Sequence, residues 1–215
     1  MCFNFESSIT AWFLAFFASL FMLSNGNYYD AWLPLFILVF TQIQIIEAII
    51  WTSMSGNTKI NSDATRMVSF LLWLQPFLSS FIGWTQTGNK FLLGMTCFFG
   101  FVLIYHWFSS KEDSFISTVG PNGHLIWHRY GVDNKEKDHV LGDSFMTFIY
   151  MFGLFVPFLF MPNPIIRYGT LAIGLLTFGY SMFNYSTTKE FSSMWCFTAV
   201  SLAAFALIFD FKVPT

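Results

Sequence analysis

Long apolar runs separated by short polar breaks dominate the chain. Residues 7–29, 67–89, 91–110, 144–166, 168–188 and 191–209 contain no Asp, Glu, Lys or Arg, and residues 31–58 contain one, Glu47. A helix needs about 20 mostly apolar residues to cross the hydrocarbon core. Each run approaches or exceeds that length. Backbone polar groups in lipid must be bonded internally, so helices and closed barrels are the spanning forms. The runs are too long and too continuously apolar for barrel strands, which alternate over about 10 residues each. The pattern therefore predicts an all-α membrane protein: a seven-transmembrane helix bundle forming one domain over 1–215. The expected spans are 8–24, 31–53, 65–85, 90–109, 143–161, 165–184 and 190–210. Ser55-Gly56-Asn57, Thr87-Gly88-Asn89 and Pro162-Asn163-Pro164 punctuate them, because Gly and Pro interrupt helices and Asn tolerates turns.

Composition agrees with the pattern. Of 215 residues, 55% are hydrophobic and 10% charged, whereas a soluble domain carries about 25% charged residues. A water-soluble globule and a disordered chain are excluded on that ground. The net charge of −2 leaves no basic footprint for a nucleic acid. Three cysteines are too few and scattered for a disulfide framework. Met1 to Ser8 lacks Lys and Arg and carries Glu6, so the first span is expected to be retained rather than cleaved as a signal peptide. In a seven-span topology Lys59, Arg66, Lys111, Arg129, Lys135, Lys137 and Lys189 share one side, and Lys90, Arg167 and Lys212 the other. The positive-inside rule then places the N-terminus in the cytoplasm.

Residues 111–143 hold ten of the 22 charged residues. Within the loop 111–142, Phe115 to Val119 reads as a strand, Gly120-Pro121-Asn122-Gly123 as a turn and His124 to Tyr130 as the return strand. The expected result is a short β-hairpin over the cytoplasmic mouth of the bundle. Asp133 to His139 reads as a charged lead into the fifth span.

Glu47 is the sharpest chemical signal. An ionisable residue in a span costs roughly 2.5–3.5 kcal/mol on insertion scales, and it usually faces the bundle interior or a wet cavity. Thr41, Gln44, Glu47, Trp51 and Ser55 fall on one helical stripe, and Gln44 sits one turn from Glu47. Gln75-Pro76 in the third span pairs a polar residue with a helix-disrupting proline, a combination that lines transporter cavities. Glu47, Gln44 and Gln75 are thus the expected transport site, for a proton or a cation; the alternative is a Glu that pins helices by hydrogen bonds. Thr170, Gly174, Thr177, Ser181 and Asn184 form a small-polar stripe, read as a packing face.

His106, His124, Trp127, Cys196 and Cys2 make up a second candidate, a cytoplasmic-side site. Its residue types permit a metal, but no ligand motif is present and none is assigned. No lysine lies mid-span, so a retinal Schiff base is not expected. Phosphate loops, dinucleotide fingerprints, H-E-x-x-H and nucleophile elbows are missing from the chain. The leading expectation is a transporter or channel for protons, a cation or a small solute. A membrane-embedded enzyme or cofactor protein, and an accessory structural subunit, are the alternatives. The expected partners are the lipid bilayer and either a second copy of the chain or another membrane subunit, with no nucleic acid.

Met1-Cys2, Glu47, Gly123-His124-Leu125-Ile126-Trp127 and Met194-Trp195-Cys196 resemble motifs of a family of small multi-span membrane proteins found in bacteria, algae and large DNA viruses. That family has no assigned activity. The resemblance implies only that these fragments belong to one constellation on the cytoplasmic side.

Overall fold

The computed structural model describes residues 4–25, 31–109, 115–130, 136–139, 144–198 and 200–210. Cys2 and most of the charged loop around the sheet lie outside them. The helices are α1 (Phe5–Asn25), α2 (Trp32–Phe40), α3 (Gln42–Ser53), α4 (Thr58–Thr87), α5 (Lys90–Ser109), α6 (Ser144–Phe155), α7 (Pro164–Tyr185), α8 (Phe191–Thr198) and α9 (Ser201–Asp210). A 3-10 turn, Pro157–Phe160, continues α6. Helix is found wherever a span was expected. Five segments are long and apolar enough to cross a membrane: Phe5–Ser24, Trp32–Ser53, Thr58–Thr87, Lys90–Ser109 and Phe191–Ile208. The apolar stretch Phe145–Phe160 is shorter, and α7 is not among the five.

Local chemistry sets the boundaries. Asn57 caps α4 by accepting from the Ile60 amide at 3.1 Å, so the helix starts seven residues before the apolar stretch that marked the expected span. Asn163 caps α7 in the same way, with Pro164 in the first turn. The second expected span is divided at Thr41, where Gln42 Nε2 donates to the Leu38 carbonyl at 2.7 Å and competes for a backbone acceptor. By contrast α4 runs unbroken through Pro76.

α4 is the central column and touches α2, α3, α5 and α6. Trp73, Leu72 and Val68 on α4 are buried with Trp32, Phe99, Tyr150 and Phe158 from its neighbours. Outward-facing side chains are themselves large and apolar: Phe183 is 90% and Phe108 83% exposed. Thr170, Gly174 and Ser181 of the α7 stripe are buried, and a Cβ at Gly174 would lie 2.4 Å from the Phe155 ring, whereas Asn184 is exposed.

The hairpin is present and larger than expected. β1 (Phe115–Val119) pairs with β2 (Leu125–Tyr130), with Phe115 opposite Arg129 and Val119 opposite Leu125. Pro121 and Asn122 hold the centre of the turn, and Gly123 takes the left-handed conformation that closes it (φ 80°). A third strand, β3 (Glu136–His139), pairs with β2 where a charged lead was expected. Four polar residues carry no apolar alternation, so pairing alone defines that strand.

Candidate functional site: a buried polar cluster beneath the hairpin

Glu47 lies on α3 about 9 Å from its C-terminal end, at 1.5 Å per residue. It is fully buried. Ser193 of α8, also fully buried, donates its hydroxyl to Glu47 Oε1 at 2.5 Å. This contact joins residues 146 positions apart. Cys196, one turn further along α8, is buried as well. Tyr150 of α6, fully buried, donates its hydroxyl to Gln75 Oε1 on α4. Gln44 is buried one turn before Glu47.

Two buried hydrogen-bonded pairs, Glu47–Ser193 and Tyr150–Gln75, with Cys196 a turn along α8, make up a polar cluster fed by α3, α8, α6 and α4. Aromatic rings enclose it: Trp195 meets Tyr150 at 6.1 Å between centroids, and Trp73 meets Tyr150 at 6.2 Å. Such a seam needs internal partners, because a buried polar group left unmatched costs about 1–3 kcal/mol. Gln75 Nε2 and Ser192 Oγ have no hydrogen-bond partner among the described residues.

The two expected sites are partly merged and partly separated. Glu47 and Gln75 fall in one cluster with Cys196, which had been grouped with the histidines. His106 has a different partner: its Nε2 sits 2.6 Å from the Ser69 hydroxyl on α4, with its ring 6.2 Å from that of Trp73. Trp127 is buried in the hairpin. Cys2 lies outside the described residues. Among the described residues no three of His, Cys, Asp and Glu gather as metal ligands would. Tyr150 and Ser193 escaped sequence reading, since a tyrosine or serine in an apolar run carries no pattern of its own.

Above the cluster, the hairpin is held by Glu190, a third residue the sequence did not single out. Glu190 is fully buried between α7 and α8. Its Oε1 accepts from the Asn122 amide at 3.0 Å and the His124 amide at 3.2 Å, and its Oε2 from Asn122 Nδ2 at 2.7 Å. Gly120 makes room, because a Cβ there would lie 2.3 Å from Glu190 Oε1. Lys189 adopts φ 62°, a left-handed conformation that costs a non-glycine residue about 1 kcal/mol or more and turns the chain into α8. On its other side the sheet is fixed to α4. Asn61 Nδ2 donates to the Ser117 carbonyl at 3.1 Å, and the Ser117 amide donates to Asn61 Oδ1 at 2.7 Å.

Both titratable groups at this clamp disfavour acid. Burial pushes the Glu190 carboxyl up, but hydrogen bonds from Thr188, Asn122 and the His124 amide outweigh it and hold it below its ordinary value of 4.5. Burial holds the His124 imidazole below its ordinary 6.5, partly offset by the Glu190 charge. A buried neutral histidine loses stability as pH falls below 6.5, because the released hairpin binds a proton that the docked one refuses. The Glu190 contribution is full above pH 4.5 and is lost as pH drops through its depressed folded value. Amide exchange at Asn122 and His124 is expected to be slowest near pH 7, after correction for intrinsic rates, and to quicken first below pH 6.5 and again below 4.5. Protection that is flat from pH 7 to 4 contradicts this.

No family model matches the chain, and no solved structure matches it. It is similar to uncharacterized protein R287 of Acanthamoeba polyphaga mimivirus, at 26% identity over 93% of this chain and 91% of that protein.

Proposed function

We propose that the chain is a multi-pass integral membrane protein, crossing the bilayer seven times with its N-terminus and hairpin in the cytoplasm, that moves protons, a cation or a small solute past Glu47. The observation that carries the reading is the complete burial of a carboxyl group in a bundle whose outer surface is large and apolar. An intramembrane ionisable residue usually marks an ion or proton pathway. The five long apolar helices support insertion, and the polar seam from Glu47 to Gln75 supports a route that crosses helix boundaries. Purified protein in liposomes is expected to dissipate an imposed proton gradient faster than empty liposomes, and Glu47→Gln to remove the difference. Equal rates for the two proteins take Glu47 out of the mechanism.

The closed Ser193–Glu47 bond favours a second reading, in which Glu47 pins α3 to α8 in an accessory subunit. That reading expects no flux and a stable complex with a membrane partner in mild detergent.

A further inference from the structure

We infer that Glu190 and the hairpin turn form a latch that sets the access of water to Glu47, with α8 as the moving part. The inference rests on Glu47 being the working group of the protein.

Three observations converge on α8. It is short, eight residues, and it is the element that carries Ser193, the donor to Glu47. Glu190 immediately precedes it, and Glu190, Ser193 and Cys196 recur at a spacing of three, close to one helical turn, on one side of the segment. The first of these grips the hairpin through three hydrogen bonds and the second holds Glu47. Glu47 and the hairpin turn are therefore joined through a single turn of helix. The turn itself carries the means to let go. Gly120 approaches Glu190 so closely that no other side chain fits, and Lys189 stores backbone strain at the pivot. The sheet, meanwhile, keeps its separate attachment to α4 at Asn61, so the turn can release without the sheet leaving the bundle.

In the closed state α8 is drawn against α3 and the Ser193 hydroxyl covers one oxygen of Glu47. When the Glu190 carboxylate leaves the Asn122 and His124 amides, α8 is free to shift by a fraction of a turn. The Ser193–Glu47 bond then opens towards the hairpin side. Glu190 is thus a positioning residue: it acts on Glu47 through α8 and touches nothing that would be carried.

The test reads access directly. A water-soluble carbodiimide with an added amine converts water-exposed carboxyls to amides, and peptide mass spectrometry reports which ones. In the wild-type protein in liposomes, Glu47 and Glu190 are expected to stay unmodified while exposed Glu6 reacts. Gly120→Ala drives a methyl group into the Glu190 carboxyl, and Glu190→Ala removes the latch altogether. Both are expected to raise Glu47 modification about tenfold, the effect of losing roughly 1.4 kcal/mol of preference for the closed state. Asn122→Ala, which deletes one of the three bonds, is expected to fall between. Gly83→Ala, which collides with Trp32 far along α4, destabilises packing without touching the latch and is expected to leave Glu47 protected. Glu47 unmodified in Glu190→Ala overturns the latch, as does equal modification in Gly83→Ala. Absence of proton flux in the wild type, with labelling as described, would instead fail the transport reading and leave the latch standing.

Discussion

Asn61→Leu is expected to loosen the sheet from the bundle more than any other single change near the hairpin. The Asn61 amide does for Ser117 what a neighbouring strand would do, meeting both its N–H and its C=O. Thr65 adds a contact with the Ser117 hydroxyl at 2.6 Å. All three residues are buried. Leucine leaves two backbone groups buried without partners, at about 1–3 kcal/mol each, so about 2–6 kcal/mol of docking free energy is lost. Amide exchange across Phe115–Val119 should accelerate about thirtyfold or more, at a factor of ten per 1.4 kcal/mol. Asn61→Asp keeps the acceptor for the Ser117 amide and should cost less. Unchanged protection in Asn61→Leu would mean that the turn clamp alone holds the sheet.

Glu47→Gln is expected to leave the fold intact and reduce proton flux by about two orders of magnitude or more, the scale on which a lost proton-transfer group is felt. Glutamine nearly matches glutamate in shape and retains a carbonyl oxygen to accept from Ser193, so the α3–α8 contact survives. What it lacks is a proton that can leave. Glu47→Leu differs in kind, because it strands the buried Ser193 hydroxyl, at about 1–3 kcal/mol. The pair of variants separates chemistry from architecture. A pathway group fails in both, whereas a helix pin fails in leucine alone. Thermal unfolding in detergent gives the architectural half of the comparison, and flux gives the other.

The helices were legible because helix length and apolarity are summed over many residues. No single position decides them. Boundaries followed the caps at Asn57 and Asn163, but α4 extends through Lys59, Asp63 and Arg66, polar residues that an apolar window discards. The hairpin turn was readable from Pro121 to Gly123, since those residue types have few other uses in that order. β3 was not, because its four polar residues gain their strand from the neighbour they pair with. The site divides along the same line. Glu47 stands out as the lone charge in its run. Its partner Ser193, the Tyr150–Gln75 pair and the Glu190 clamp depend on contacts between distant parts of the chain. Glu190 in particular sits at the edge of an apolar run, where a carboxylate reads as an ordinary solvent-facing end. His106 and Cys196 were grouped by their side of the membrane, yet His106 meets Ser69 on α4 while Cys196 lies on α8 a turn from Ser193, and the side of the membrane says nothing about azimuth.

In the proposed pathway Glu47 is the group past which protons move. An apolar carbodiimide, which reaches carboxyls from the bilayer interior, tests it most directly in protein-loaded liposomes. Flux and the fraction of Glu47 carrying the adduct are measured on the same samples as reagent is titrated. Flux is expected to fall in proportion to that fraction and to reach the level of empty liposomes when Glu47 is fully modified. Full flux with Glu47 fully modified, or lost flux with Glu47 intact, would contradict the claim.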